Sequence, residues 1–194
     1  ESVNKYGATS LFLVPTLLRR MLLISPKDSL LFPKLRLLIS SGSILHKEER
    51  EKIQERLCST FINLYASTEA GAVSLLSSYD PSEKSGSVGL SSFMNKFEVV
   101  DENNNSLPPG EVGRIRQKAP WIPEGFYNNE EESKKMFVDG WYFTGDLGKT
   151  DEDGYLYIVG RVKDMIIRGG INIYPSEIED ILTQNDMILD AAVV

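Results

Sequence analysis

Between residues 10 and 65 short, near-continuous apolar runs alternate with helical segments, and few folds accommodate that order. Ser10 to Val14 (SLFLV) is an apolar run that ends at Pro15. Proline favours extended backbone in the residue before it and suits the first turn of a helix. A helix is therefore expected over Thr16 to Leu23, followed by a strand at Leu35 to Ser40 (LRLLIS) and a turn at Ser41-Gly42-Ser43. Residues 46 to 57 (HKEEREKIQERL) form the next expected helix. Its Glu48 and Glu49 lie where the helix dipole favours acid, and Ile53 and Leu57 are spaced to face a core. A further strand, Phe61 to Tyr65, leads into Ser67-Thr68-Glu69-Ala70-Gly71. Uninterrupted apolar strands joined by helices specify a parallel α/β layer, because strands buried on both faces have no polar side to alternate with.

After Gly71 the pattern changes. Expected strands at Ala72 to Leu76, Phe97 to Asp101 and Glu111 to Arg116 are separated by Gly, Pro and Asn-rich turns such as DENNNSLPPG. That is hairpin punctuation and predicts an antiparallel β unit. A short helix is expected at Glu130 to Met136, a strand at Trp141 to Phe143, and a tight turn at Thr150 to Gly154. From Tyr155 the sequence reads as a strand (Tyr155, Tyr157, Val159) that breaks at Gly160. The charged residues Arg161, Lys163 and Asp164 follow, then the apolar run Met165 to Ile167, Gly169-Gly170, and a helix start at Pro175-Ser176-Glu177. Charge between two apolar strands marks a joint between packed bodies. The fold class expected is α/β, a parallel α/β layer followed by an antiparallel β subdomain, ending in the first strand and helix of a small C-terminal α+β domain. The expected units are residues 1–71, 72–160 and 161–194.

Composition narrows the functions. The 194 residues are 41% hydrophobic, enough for a core, and no apolar run nears the roughly 20 residues of a membrane span. A net charge of −7 argues against a nucleic-acid surface. Cys58, the one cysteine, excludes an internal disulfide and suits a reducing, cytoplasmic setting. His46, the one histidine, stands at a helix start as a solvated or capping residue, so no Ser-His-Asp relay or histidine metal site is available. The chain starts without methionine, and LDAAVV at its end reads as a strand cut before its turn; both ends are expected to be cuts.

The loop at residues 67 to 71 follows an apolar strand at the edge of a parallel sheet, where ligands bind in such folds. Small residues at Ala66, Ser67, Ala70 and Gly71 admit a phosphate, the Thr68 hydroxyl can donate to it, and Glu69 can offer a hard oxygen to Mg2+. The same residues could instead make a surface turn that bonds local backbone. Asp146, flanked by glycines in Thr144 to Gly148, is either turn chemistry or an acceptor for the two hydroxyls of a ribose.

Three stretches in register settle between these readings: YASTEAG at Tyr65 to Gly71, GWYFTGDLG at Gly140 to Gly148, and GRVKDMIIRGGINIYPSEIE from Gly160. Together they resemble the signatures of adenylate-forming acyl-CoA synthetases, which activate a carboxylate with ATP and then rotate a small domain to make a thioester. The resemblance covers essentially the whole chain but only a central portion of a family member. It implies that Tyr65 stacks on adenine, with Gly42 and Ser43 lining the adenine and acyl pocket. Thr68 would contact the α-phosphate, Glu69 would bind Mg2+, and Asp146 and Arg161 would hold the ribose. Lys163 would be the pivot, where many relatives carry aspartate, and Gly169 and Gly170 would let the pantetheine arm of CoA pass. Ala66 replaces a glycine common after the tyrosine.

The phosphate loop and the histidine-aromatic signature would precede residue 1, and the C-terminal lysine would follow Val194, so the isolated chain is expected to be inactive. The implied substrates are a small carboxylate, in fatty-acid metabolism or related chemistry, with ATP and CoA. Alternatives are an adenylation domain that loads a carrier protein, or a non-catalytic nucleotide-binding module.

Overall fold

A computed structural model of the chain describes residues 2–43, 45–169, 171–183, 185, 187–188 and 191–193. It divides into two compact units, Glu1–Asn95 and Lys96–Val194.

The first unit is one five-stranded sheet with helices. After a single helical turn, α1 (Ser2–Lys5), come β1 (Ser10–Leu13), α2 (Pro15–Ile24), β2 (Leu37–Ser40), α3 (Lys47–Arg56) and β3 (Phe61–Ser67). Strands β1, β2 and β3 are parallel, with Leu13 opposite Ser40 and Ser40 opposite Asn63. Val14 is extended (φ −77°, ψ 152°) and Pro15 opens α2, so the proline sets that helix start as its fixed φ requires. Leu18 from α2 and Ile53 and Leu57 from α3 and its end join Leu38 and Phe61 in the core. These residues are almost fully buried, and each contributes about 2 kcal/mol from removal of apolar surface from water. Arg56 closes the other end of α2: its guanidinium donates to Leu22 O at 2.9 Å and Ser25 O at 2.8 Å, two carbonyls the ending helix leaves without helical partners.

Strand β4 (Gly71–Ser77) was expected to open the β-rich unit, but it belongs to the first sheet. It pairs antiparallel with β3, Ser67 opposite Gly71, and β5 (Leu90–Ser91) pairs with β4. Turn length explains the difference. Three residues join β3 to β4, whereas a parallel return needs a crossover of about a dozen or more, so the chain can only fold back on itself.

The second unit is an antiparallel sheet in the order β10-β9-β7-β6, formed by β6 (Lys96–Val100), β7 (Gly113–Lys118), β9 (Trp141–Thr150) and β10 (Leu156–Arg161). Helix α4 (Glu130–Met136) leads into β8 (Phe137–Val138), which pairs with β9. Asp101 builds the turn after β6: its Oδ1 accepts the amides of Asn103 and Asn105, both at 2.8 Å. Asp151 does the same after β9, accepting from Asp153 N at 3.1 Å and Tyr155 N at 2.9 Å.

Two expected strand ends are corrected. The strand at Trp141 runs on through Gly145 and Asp146 to Thr150, and the strand at Tyr155 does not break at Gly160 but continues to Arg161. Bulges hide both continuations. Between the pairs Arg114–Leu147 and Arg116–Phe143, β7 advances two residues while β9 advances four. Gly145, at φ +79°, takes the dihedral this kink needs.

Beyond β10 a single 3-10 turn spans Val162–Asp164, and then β11 (Ile166–Arg168) and β12 (Ile171–Ile173) form a hairpin before α5 (Pro175–Thr183). The expected first strand of the C-terminal region is thus a two-stranded ribbon. The Ser176 hydroxyl at the start of α5 donates to Val159 O. Among the described residues no helix is long and apolar enough to cross a membrane.

Candidate nucleotide site

Two groups of expected site residues are assembled, one in each unit. In the first unit the parallel strands end at one edge of the sheet. Gly42 follows β2 there at φ +108°, and a Cβ built on it would sit 3.8 Å from Val14 Cγ1, which places this turn against the start of α2. The conformation, more than the space, calls for glycine. Ser43 is exposed beside it.

Strand β3 continues four residues, Leu64 to Ser67, beyond its last partner on β2. At about 3.3 Å per residue it projects by roughly 13 Å, and it carries the next turn out with it. Tyr65 is half-buried on this projection, opposite Ser74, next to a register shift at Ala66. The turn is locally braced: Ser67 Oγ accepts from Ala70 N at 3.1 Å, Ala70 is 1% exposed, and Gly71 has φ +72°. Ser67 therefore does turn chemistry. Thr68 and Glu69 point the other way in function: both are exposed, and neither side chain bonds any of the described residues. Among the described residues no group of three or more His, Cys, Asp or Glu could hold a metal. A lone exposed carboxylate still fits Mg2+, which is held by one or two carboxylates together with substrate phosphates.

In the second unit Asp146 and Arg161 face each other across β9 and β10. Arg161 Nε donates to Asp146 Oδ1 at 3.2 Å, with the carboxylate side chain 18% exposed and the guanidinium 53%. Asp146 is placed by Thr144, which the sequence reading passed over. Thr144 is buried, its Oγ1 donates to Ile115 O at 3.3 Å, and it accepts from Asp146 N at 3.1 Å. The signal was present, since a hydroxyl two residues before an aspartate can accept its amide. Gly148 is needed for contact: a Cβ there would lie 2.6 Å from Tyr157 O and 2.8 Å from Ile115 Cδ1.

Lys163 lies exposed in the 3-10 turn directly after Arg161. Gly169, at φ +62°, makes the turn between β11 and β12, and Gly170 lies outside the described residues. His46 is the N-cap of α3, and its amide donates to Glu49 Oε2 at 2.9 Å, a capping role as expected.

Comparison with known proteins identifies the family. The model of a family described as AMP-binding enzyme matches residues 1–127. A long-chain-fatty-acid–CoA ligase of Salmonella typhimurium is 32% identical over 194 residues, all of this chain and 35% of that protein. The o-succinylbenzoate coenzyme A synthetase of Bacillus subtilis, solved in complex with ATP and magnesium ion, superimposes with a TM-score of 0.88 at 29% identity. That alignment covers 99% of this chain and 40% of the synthetase. An amide bond synthetase of Marinactinospora thermotolerans gives 0.88 at 28% identity, over 100% of this chain and 40% of its own. The chain thus spans little more than a third of the length of these relatives, and within that span it belongs to the AMP-binding enzyme family, the adenylate-forming superfamily of acyl-CoA synthetases.

Proposed function

We propose that this chain is the central part of an ATP-dependent, AMP-forming acyl-CoA synthetase. The observation that carries the reading is the Asp146–Arg161 pair. It is an acceptor-only carboxylate held at a strand bulge beside a cation, the chemistry that takes two ribose hydroxyls. In the reaction proposed, a carboxylate oxygen attacks the α-phosphorus of ATP and pyrophosphate leaves. The thiol of CoA then attacks the acyl carbonyl and AMP leaves.

Tyr65 stacks on adenine, Gly42 and Ser43 line its pocket, and Thr68 donates to the α-phosphate. Glu69 holds Mg2+, which when bound supplies positive charge against the phosphates. Asp146 and Arg161 fix the ribose, so catalysis here is mainly positioning and charge stabilisation. Lys163 is the pivot between the half-reactions, the joint at residue 161 opens a third body, and Gly169 and Gly170 border the pantetheine path. The acyl group, fatty or aryl, is not fixed by these residues. The acceptor is the point where a second reading enters, because the amide bond synthetase above shares this fold.

The test uses the protein at its relatives' full length and measures carboxylate-dependent pyrophosphate exchange and thioester release together. The 194 residues alone should give no exchange. Glu69→Gln should lower exchange by about 10²-fold, the scale for losing one charge-stabilising contact in a transition state. Lys163→Pro should spare exchange and remove thioester release, since proline fixes φ near −65°. Exchange unaltered by Glu69→Gln would overturn the assignment. Equal loss of both rates in Lys163→Pro would remove the pivot, and release to an amine but not to CoA would favour the second reading.

A further inference from the structure

One face of the second unit's sheet gathers positive charge around a single indole. Along β7, Arg114, Arg116 and Lys118 alternate with the buried Gly113, Ile115 and Gln117, so all three cations emerge on the same side. Arg116 lies 4.4 Å from the centre of the Trp141 ring, Lys96 Nζ 5.5 Å and Lys118 Nζ 5.9 Å. One acid answers them: Glu98 accepts from Lys96 at 2.6 Å and from Arg116 at 2.5 Å. Among the described residues no carboxylate pairs with Lys118.

Two features go beyond what a fold-stabilising brace requires. A cation over Trp141 is already supplied by Arg116, whose side chain is only 14% exposed and lies closest to the ring. The two lysines lie farther from the ring than Arg116 and are direct cross-strand partners whose like charges repel, a repulsion that Glu98 offsets at Lys96 but not at Lys118. The chain as a whole carries −7, so its composition does not force an excess of cations onto one patch. Two ammonium groups and a guanidinium, all within 5.9 Å of one ring centre, suit an anion with several oxygens. A phosphate can accept from both lysines at once and cancel their repulsion.

We propose that Lys96 and Lys118, backed by Arg116 and Trp141, form a surface site for a phosphate group, separate from the residues assigned to the nucleotide. The site stands whether or not the proposed synthetase reaction does. Trp141 provides the reporter in the protein at its relatives' full length: Trp121→Phe leaves it the only tryptophan within residues 1–194, and a Trp141→Phe control subtracts emission from elsewhere. The probes are inorganic phosphate and adenosine 3′,5′-bisphosphate, each against sodium chloride at the same ionic strength.

Both phosphates should change Trp141 emission saturably and raise the thermal midpoint, as ligands of the native state do. Lys118→Gln should weaken binding about 10-fold, the scale for losing one charged hydrogen bond. Both lysines are exposed, so the variants should stay folded, and without phosphate Lys118→Gln should melt no lower than its parent. Tighter binding of the bisphosphate identifies a nucleotide as the phosphate's source; equal binding identifies the phosphate itself. Three results would overturn the site: sodium chloride giving the same change, Lys96→Gln with Lys118→Gln leaving binding intact, or Lys118→Gln lowering stability equally with and without phosphate.

Discussion

The turn at Thr68 in the first unit and the bulge at Asp146 in the second, each a candidate nucleotide-binding group, are built by opposite means. The turn is held from inside, by Ser67 Oγ and the buried Ala70, while Thr68 and Glu69 stand in solvent with no partner among the described residues. At the bulge the functional groups themselves are engaged: Asp146 is paired with Arg161 and its amide is fixed by Thr144. The first arrangement leaves its side chains to be ordered by the ligand, at an entropic cost of up to about 2 kcal/mol each. The second has its geometry in place beforehand. Phosphates carry charge enough to order a loop, whereas discrimination of ribose hydroxyls depends on an acceptor fixed in position.

The contrast predicts unequal tolerance of a methyl group. Gly148→Ala places a Cβ against the Tyr157 carbonyl, which the sheet cannot move aside, and should cost about 3 kcal/mol in urea unfolding, the upper part of the overpacking range. Gly42→Ala meets nothing closer than 3.8 Å and should cost about 1 kcal/mol, for its dihedral alone. Equal costs would mean that the sheet at Gly148 is no more rigid than the turn at Gly42 that follows β2.

Next in size is Asp146→Ala in the full-length protein, which should weaken ATP binding by about 2 kcal/mol in a titration, the scale for hydrogen bonds to a charged acceptor. Folding should change little, because Arg161 is half exposed and can be hydrated. A protein that melts early but binds ATP as before would make Asp146 structural.

The smallest effect is in the pH dependence. In the first unit burial tends to raise Glu49, but the Arg19 bond, 3.0 Å from Nη2 to Oε2, and the His46 amide outweigh it and hold its pKa below the usual value. In the second unit burial likewise tends to raise Glu98, and Lys96 and Arg116 bring it down. A carboxylate lowered in the fold contributes stability that is fully present above its unfolded pKa, about 4.3, and is lost as pH falls through the folded value. Glu49→Gln and Glu98→Gln should each flatten that acid limb in denaturation curves. A limb unchanged in either variant would show that its ion pair contributes nothing.

What the sequence made legible follows the range over which each cause acts. The helices and parallel strands of residues 10 to 67 are set by local periodicity and by one proline, so the elements were legible in order, although β2 begins at Leu37 rather than Leu35 and β3 runs on past Tyr65 to Ser67. The resemblance assigned Asp146 and Arg161 to one ribose, but their pairing with each other was not expected, because no local signal specifies it and only the register of β9 against β10 brings them together. Strand β4 was assigned to the wrong sheet because its apolar pattern is indifferent to the partner it finds, and only the length of the turn before it decides. The full length of β9 was hidden by a bulge whose glycine looks like a stop. The charges around Trp141 were invisible for a further reason: Lys96, Lys118 and Trp141 are far apart in the chain, and only sheet register brings them together.

The three-residue turn that corrected the sheet assignment also bears on how the sheet assembles. Pairing β3 with β4 closes a loop of three residues, whereas pairing β1 with β2 must first close the 23 residues from 14 to 36. Chain entropy alone separates those two closures by roughly 2 kcal/mol. The hairpin can therefore form on a microsecond scale before either helix has docked. It then offers the outer edge of β3 as a template on which the slower parallel strands line up, so the segment that carries Thr68 and Glu69 is also where the first sheet can begin to fold.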